Sequence, residues 1–377
     1  MAQYQQTAGQ NGLALGLRSL KPARGFVTVV ISTLMLIVVC AVFAPSAISS
    51  GGLAGSLPFA AIIAIVGLGQ MLVVQQGGFD LSLAGGVSLA VVITTHMSGG
   101  NDAQLFSAIA FAVGCAVVAG VLNGVLVGVL RLNAIVATIG MNALLYGAVF
   151  AVSGGVPRIT TPLMAQIAGG KTLGIPNSVL FALVIMLLVS FVLKKTIIGR
   201  RFEAIGANPA AAHAAGLKVQ LYQAMAYVFA QLHYCVAGIL ISGITREPTA
   251  FQGDSLLLPS VAVVVLAGTS LLGGRGFPIS TVIAAFFLNQ LSQFALAVGV
   301  PFSAQTIIQA LALVFGIGVY SLRWKQAATK RALKSKTEET DNVYGKDDDC
   351  RLCGSDTEHG PCCPNGTGRD AVVVRAE

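Results

Sequence analysis

The residues with the most informative types and spacing lie in a short polar loop, residues 199–217, set in an otherwise apolar chain. Asn208 is a good N-cap, because its side chain can accept a hydrogen bond from an unpaired backbone N–H. Pro209 suits the first helical position, alanine fills most of 210–215, and Gly216 can end the helix in the left-handed conformation. The pattern predicts a short, capped helix that binds another surface and does not catalyse a reaction.

Two uses of this helix are open. A helix that lies on a lipid surface needs a large apolar face, and this one is small and weakly apolar, so a lid or a docking helix is the preferred interpretation. The sequence contains no Gly-x-x-x-x-Gly-Lys-Ser/Thr run, which would bind nucleotide phosphates. We therefore predict no enzyme activity in this chain.

Asp80 is the one acidic residue between Phe26 and Gly100. An ionisable residue among apolar segments is costly, which makes it a candidate for function. Because Leu81 and Ser82 begin the next apolar segment, Asp80 either caps a helix or forms a gating contact.

The end of the chain holds a group of metal-ligand residue types. They are Cys350, Cys353, His359, Cys362 and Cys363. Their spacing resembles a zinc site, but the surrounding residues are polar and acidic, which favours a disordered tail. A metal site and a redox pair remain the alternatives, and we predict no metal.

The composition places most of the chain in lipid. Of the 377 residues, 55% are hydrophobic and 10% are charged, whereas soluble domains carry about 25% charged residues. Ten apolar segments are predicted as membrane spans: Phe26–Ala44, Leu57–Gln76, Leu83–Met97, Leu105–Leu130, Ile135–Val152, Val179–Leu193, Tyr222–Gly243, Leu256–Leu272, Phe277–Val298 and Ala304–Leu322. The third and sixth fall short of the roughly 20 residues that a span needs, so we expect broken or re-entrant helices there. The fold class is an all-α polytopic membrane protein of about ten transmembrane helices.

The net charge of +8 comes from basic residues that collect in three places, and it does not indicate nucleic-acid binding. The clusters are Arg18/Lys21/Arg24, Lys194/Lys195/Arg200/Arg201/Lys218 and Arg323/Lys325/Lys330/Arg331/Lys334/Lys336. The positive-inside rule puts all three in the cytoplasm. Ten spans satisfy the rule by parity, with both termini cytoplasmic.

Three regions follow from these patterns. Residues 1–25 are predicted as a disordered cytoplasmic N-terminus, 26–322 as the membrane domain, and 323–377 as a polar, cysteine-containing cytoplasmic tail. Within the fourth span, Gly120, Gly124 and Gly128 form a small-residue ridge that favours packing inside one chain over a dimer interface.

Polar residues inside the spans are amides and a histidine, which suit a neutral solute but are individually expected to bond neighbouring helices. They are Gln70, Gln75, Asn123, Asn142, Gln231, His233, Asn289, Gln290 and Gln293. We assign none of them to a substrate site, and we expect His233 to join two helices.

Several motifs in order resemble one family across most of residues 26–322. The loop 199–217 resembles the coupling loop of ABC-importer permeases of the ribose/xylose/arabinose and autoinducer-2 type. Gly77–Ser82 is similar to that family's Gly-Gly-Ile-Asp-Leu-Ser turn, and residues 122–124 and 135–141 resemble its next two segments. Gly268–Gly276, with the sequence Gly-Thr-Ser-Leu-Leu-Gly-Gly-Arg-Gly, resembles its most recognisable signature.

The resemblance implies a permease subunit of an ATP-driven, binding-protein-dependent importer of a sugar or sugar-like solute in the bacterial cytoplasmic (inner) membrane. The implied coupling residues are Gly199, Arg200, Glu203, Ala204, Gly206, Asn208, Ala211, Ala212 and Gly216, and the implied gating or structural turns hold Asp80, Gly273, Gly274 and Arg275. Implied partners are an ATP-binding subunit carrying ATP-Mg, a periplasmic or extracellular solute-binding protein, a second permease copy and lipid. The chain itself needs no cofactor. An ion-coupled secondary transporter and a non-transport membrane scaffold are the alternatives.

Overall fold

The structure, a computed structural model, describes residues 24–301 and the single positions 304, 307, 310 and 311. The chain divides into two units, Met1–Tyr320 and Ser321–Glu377, and the second lies outside the described residues. The predicted tenth span, apart from those four positions, also lies outside the described residues.

The helices of the described residues are α1 (Arg24–Phe43), α2 (Ser50–Gln75), α3 (Leu83–Ser98), α4 (Leu105–Gly124), α5 (Ala134–Ser153), α6 (Pro162–Gly169), α7 (Asn177–Lys195), α8 (Ile197–Ala207), α9 (Pro209–Ala214), α10 (Val219–Thr245), α11 (Asp254–Leu266) and α12 (Pro278–Ala297).

The chain is a polytopic all-α membrane protein. Among the described residues, seven helices are long and apolar enough to cross a membrane, namely α1, α2, α4, α5, α7, α10 and α12. Helices α3 and α11 are apolar but shorter. A hairpin of two antiparallel strands, β1 (Lys171–Thr172) and β2 (Ile175–Pro176), turns through Leu173 and Gly174, both at positive φ. The hairpin is a small exception to the all-helical expectation.

Two predictions about short spans are corrected by these bounds. The sixth span is not broken, because α7 runs for 19 residues to the cationic pair Lys194 and Lys195. The eighth is the broken one: α11 has 13 residues and ends at Leu266, since Gly268 adopts a left-handed conformation at φ +81°. The third span is short as expected, with 16 residues in α3.

Helices α2 and α10 form the centre of the bundle. Helix α10 packs along α2, α3 and α4, and α2 also packs against α7, α11 and α12. The small-residue ridge of α4 faces α10: a Cβ on Gly120 would lie 2.6 Å from the Val228 Cα, and one on Gly124 would lie 2.7 Å from the Ala224 carbonyl oxygen. The expectation that this ridge packs within one chain is confirmed.

The loops gather at two ends of the bundle. We call the end that holds the C-terminus of α2, the α4–α5 turn, α8, α9 and residues 273–276 the coupling end. The opposite end holds residues 99–104, 154–176 and 246–249. Sequence reasoning missed α6 and α8, although Thr161-Pro162 and Thr196 are N-cap signals that could have found them.

Candidate coupling site

Helix α9 is the predicted short helix of the loop, and its caps are formed. The Asn208 side chain accepts from the Ala211 N–H at 3.0 Å, Pro209 occupies the first helical position, and Gly216 lies at φ +80°. The Leu217 N–H then donates to the Ala212 carbonyl at 3.0 Å, which closes the C-terminus. Ala212 is buried against the protein, whereas Ala211 is exposed. The result is a defined, largely exposed surface helix.

Helix α8 connects α9 to the membrane helices. Its N-cap is Thr196, whose side chain accepts from the Gly199 N–H at 3.1 Å. Phe202 and Ile205 are buried one helical turn apart, and Phe202 belongs to a cluster of apolar side chains from α2, α7, α10 and α11. Because Phe202 is packed into this shared cluster, a displacement of α8 would disturb the packing of the membrane helices.

Three segments distant in sequence meet beside α8. The Gln75 side chain donates to the Gly274 carbonyl at 3.0 Å, and the Gly274 N–H donates to the Gln75 carbonyl at 2.8 Å. The Gln76 side chain donates to the Phe202 carbonyl at 2.9 Å. These buried bonds tie the end of α2 both to α8 and to the turn at residues 273–276. We call this arrangement the α2–α8 junction.

Glycine is required at this junction because backbones approach directly. A Cβ on Gly206 would lie 2.1 Å from the Gln75 carbonyl oxygen, and one on Gly273 would lie 2.5 Å from the Gly206 carbonyl oxygen. Gly273 and Gly274 also have φ values of +91° and +92°, which L-residues rarely adopt. At the start of α8, a Cβ on Gly199 would lie 2.2 Å from the Val192 carbonyl oxygen.

The chain belongs to a known permease family. It matches the family described as branched-chain amino acid transport system / permease component over residues 52–317. A probable ABC transporter permease protein of Sinorhizobium fredii is 31% identical, covering 72% of this chain and 82% of the relative. A ribose import permease protein of Escherichia coli K12 is 30% identical (76% and 91%), and an autoinducer 2 import system permease protein of Enterobacter sp. 638 is 30% identical (76% and 83%). No solved structure matches the chain significantly.

The implied coupling residues of the permease divide into two groups. Gly199, Gly206 and Ala212 are buried, and they hold α8 and α9 in place. The exposed ones present a surface and are Arg200, Glu203, Ala204, Asn208, Ala211 and Gly216. Their role in coupling stays a prediction, but the structure places all of them on two consecutive helices or in the caps of α9.

A cleft of about 1130 Å³ lies beside α9. The cleft lies between α9, the turn after α4 and the start of α10. Its polar lining residues are Arg131, His213, Lys218, Gln220 and Gln223, and the others are apolar. Arg131 is held at φ +55°, an uncommon conformation for a non-glycine residue. The turn preceding it contains a π-helical segment, Val125–Val129, of a kind often found at functional sites. This end of the permease therefore offers both a protruding helix and a basic hollow next to it.

The Asp80 carboxylate is buried between α3 and α10. Its Oδ1 accepts from the Ser82 backbone N–H at 2.9 Å and from the Ser82 hydroxyl, and its Oδ2 accepts from the Gln231 side chain at 3.4 Å. The Ser82 hydroxyl also accepts from Asn123 and Gln231. Asp80 and Ser82 together thus link the break before α3 to α4 and α10, and the capping and gating interpretations both stay open.

Most of the intramembrane amides bond neighbouring elements, as expected. Gln70 accepts from the Tyr234 hydroxyl at 2.8 Å, and Asn142 accepts from the Gly85 N–H at 2.7 Å. Asn289 and Gln290 donate to the Ser56 and Ala47 carbonyls at 3.2 and 3.1 Å. His233 is the exception: its Nδ1 pairs with the Phe229 carbonyl of the same helix, so the prediction that it joins two helices was wrong.

The remaining predicted residues have simpler outcomes. Arg275 is exposed, and its carbonyl accepts from the Ser270 N–H at 3.2 Å, which closes the signature turn. The cysteines and histidine of the predicted alternative metal site, residues 350–363, lie outside the described residues.

Proposed function

We propose that this permease is the membrane-spanning subunit of an ATP-driven, binding-protein-dependent importer, and that α9 is its coupling helix. The observation that carries the proposal is the combination of an exposed, doubly capped helix with the α2–α8 junction. A helix that receives force from a partner must be held rigidly to the elements that move. The backbone contacts of Gly206 and the glutamine bonds to α8 meet that requirement.

The coupling end lies in the cytoplasm in this proposal. Its described basic residues are Arg131, Lys194, Lys195, Arg200, Arg201, Lys218 and Arg275. The coupling end also holds the acidic Glu203, whereas at the opposite end the basic residues Arg158, Lys171 and Arg246 are accompanied by Asp102 and Glu247. This asymmetry supports cytoplasmic termini and is consistent with ten spans in residues 26–322. Membership of the permease family supports insertion in the bacterial inner membrane.

Partners follow from the same arrangement. An ATP-binding subunit, with ATP-Mg, docks on α9 and the basic cleft beside it, while a solute-binding protein meets the opposite end. A second permease copy completes the pathway, and the chain needs no cofactor of its own. The names of the ribose and autoinducer 2 relatives support a sugar or sugar-like solute.

The glycine turns at residues 77–82 and 273–276 lie side by side, since a Cβ on Gly273 would be 3.3 Å from the Gly77 nitrogen. We propose that these turns move with α8, and that Asp80 positions the start of α3 during that movement. Asp80 is then a positioning residue and does not carry charge across the membrane.

Transport in proteoliposomes tests the proposed function. The permease, reconstituted with its ATP-binding subunit and solute-binding protein, is expected to accumulate labelled solute only when ATP is inside and the binding protein is outside. Uptake driven by a proton or sodium gradient without ATP would support the secondary-transporter alternative instead.

A further inference from the structure

Two short helices, α3 and α11, begin next to each other inside the bundle. Helix α11 begins at Asp254, and the Gly253 N–H donates to the Ser88 hydroxyl of α3 at 3.0 Å. A Cβ on Gly253 would lie 2.0 Å from the Ala84 carbonyl oxygen, so the starts of α3 and α11 touch backbone to backbone. In membrane transporters, solute sites are often built where discontinuous helices start near the middle of the bilayer.

The depth of Asp254 follows from the lengths of its neighbours. Helix α11 has 13 residues, which span about 20 Å, and it runs from Asp254 towards the coupling end. The Tyr146 hydroxyl, which donates to the Asp254 carboxylate, belongs to the middle of the membrane helix α5. The hydrocarbon core is about 30 Å thick, so Asp254 lies within it.

Asp254 is exposed on the surface of the single chain, unlike the buried Asp80. An exposed carboxylate at this depth cannot face lipid without a large cost, because lipid offers it no hydrogen bonds. The face of the bundle that carries Asp254 must therefore contact water or another subunit. This conclusion does not depend on the identity of any ligand.

A cluster of aromatic side chains includes Tyr146, the hydrogen-bond partner of this carboxylate. The Phe251 ring packs edge to face on Tyr146, with ring centroids 5.4 Å apart, and lies 5.1 Å from the Phe150 ring. Phe150 is exposed, and no heavy atom lies within 4 Å of the place where a Cβ on Gly147 would be. The carboxylate can accept hydrogen bonds from a solute, and the open aromatic rings and the glycine beside it leave an apolar surface. This combination suits a solute whose ring carries hydroxyl groups on its edges and C–H groups on its faces.

We propose that Asp254, Tyr146, Phe150 and Phe251 form one half of a solute site in the translocation pathway, and that this site binds a neutral, polyhydroxylated solute. The carboxylate accepts from solute hydroxyls, and the rings pack on the apolar faces of the solute. The second permease copy closes the site from the other side. This inference rests on the proposed function for the nature of the solute, but the aqueous exposure of Asp254 does not.

Cysteine labelling tests the aqueous exposure without requiring transport. Ser255→Cys lies beside Asp254, is also exposed and leaves the carboxylate in place. Leu144→Cys is exposed too, on a part of α5 that we expect to face lipid. A charged thiosulfonate reagent reacts with thiols in water. We expect the full-length Ser255→Cys variant in vesicles to react at least about tenfold faster than Leu144→Cys, as resolved by peptide mass spectrometry. Equal rates would overturn the proposal.

Transport by Asp254→Asn tests the solute contact. In the assembled importer, we expect uptake of labelled ribose, used as the probe sugar, to fall about tenfold or more, because hydrogen bonds to a charged acceptor are about twice as strong as neutral ones. Stimulation of ATP hydrolysis by the solute-binding protein should stay within about twofold. Unchanged uptake by Asp254→Asn would contradict the solute site.

If the unsubstituted importer took up no ribose but another probe sugar such as xylose or galactose, the same comparison would be made with that sugar. A complex that transported none of them with ATP would refute the proposed function, and labelling would then decide the aqueous face alone.

Discussion

The two ends of the bundle are built from different kinds of contact. At the coupling end, glycines bring backbones of α2, α8 and the residue 273–276 turn within van der Waals distance, and buried glutamines bond across the contact. At the opposite end, one glycine, Gly243, brings α10 close to the Met164 carbonyl of α6, but the loops themselves are joined by individual hydrogen bonds. The Leu163 N–H donates to Asp102 Oδ1 at 2.9 Å, and the Thr160 N–H donates to the Arg246 carbonyl at 2.8 Å. The first end is suited to transmit a displacement, and the second tolerates change.

The largest expected effect comes from filling the α2–α8 junction. Gly206→Ala places a methyl group 2.1 Å from the Gln75 carbonyl oxygen, and the backbone of α2 or α8 must shift to admit it. Overpacking of this kind costs about 1–3 kcal/mol. We expect ATP hydrolysis in the assembled complex to stop responding to the solute-binding protein, with uptake lost.

The matched control for this change is Gly140→Ala. Gly140 also lies in a helix, but no heavy atom lies within 4 Å of its added Cβ, so stability and uptake should be retained. If Gly206→Ala transported as well as Gly140→Ala, the junction would not be the rigid element described here.

A smaller effect is expected from removing the cap of α9. Asn208→Ala deletes the acceptor for the Ala211 N–H and costs the helix about 1 kcal/mol. Because α9 has only six residues, we expect it to fray, and uptake to fall several-fold while the melting temperature of the membrane domain stays unchanged.

Asn101 offers the corresponding position at the opposite end. Its side chain caps a short 3-10 helix by accepting from the Ala103 N–H at 3.0 Å, so Asn101→Ala makes the same chemical change there. Uptake by Asn101→Ala should stay near normal. An equal loss in both variants would show that the two ends do not differ in the way proposed.

The smallest effect is expected at the hairpin. Leu173 is 97% exposed and sits at φ +55°, a conformation that asparagine adopts more readily than leucine. Leu173→Asn should raise the melting temperature slightly, which differential scanning fluorimetry can measure. A clear fall in melting temperature would mean that the leucine side chain makes a stabilising contact after all.

The sequence predicted the membrane helices because their signal is local. Continuous apolar runs and positions of charge located α1 to α5, α7, α10 and α12 to within about one turn, with two exceptions. Helix α2 begins earlier than predicted, and α4 ends at Gly124, where a π-helical segment continues the apolar run to Val129. The end of α11 was misplaced because Ala267-Gly268 continues the apolar run while the backbone leaves the helix. Helix α8 was missed because its charged residues, Arg200, Arg201 and Glu203, conceal an amphipathic pattern with Phe202 and Ile205 buried.

The candidate sites were only partly accessible to sequence reasoning. The caps of α9 were predicted because Asn208, Pro209 and Gly216 act within a few residues of each other. The α2–α8 junction was not, because it joins Gln75 to Gly206 and Gly274, and one sequence holds no signal for such distant pairs. Asp254 was passed over for a similar reason: its depth depends on the break before α11 and on its contact with Tyr146.

The location of the coupling end is tested by labelling of intact cells. Lys195→Cys should be protected from an impermeant thiol reagent added outside, whereas Leu173→Cys at the opposite end should react. Both side chains are exposed, so a difference between them reports sidedness and not burial. Reaction of Lys195→Cys from outside would invert the proposed topology.

Site-specific photo-crosslinking tests most directly whether α9 is the surface that the ATP-binding subunit contacts. A benzophenone amino acid is placed at the exposed Ala211 or Ala214 of α9, and at the exposed Ala103 of the opposite end as the control. In the purified, intact complex, we expect crosslinks to the ATP-binding subunit from the α9 positions and none from Ala103. If neither α9 position crosslinks while the complex remains intact, or if Ala103 crosslinks to the ATP-binding subunit, α9 is not the coupling helix.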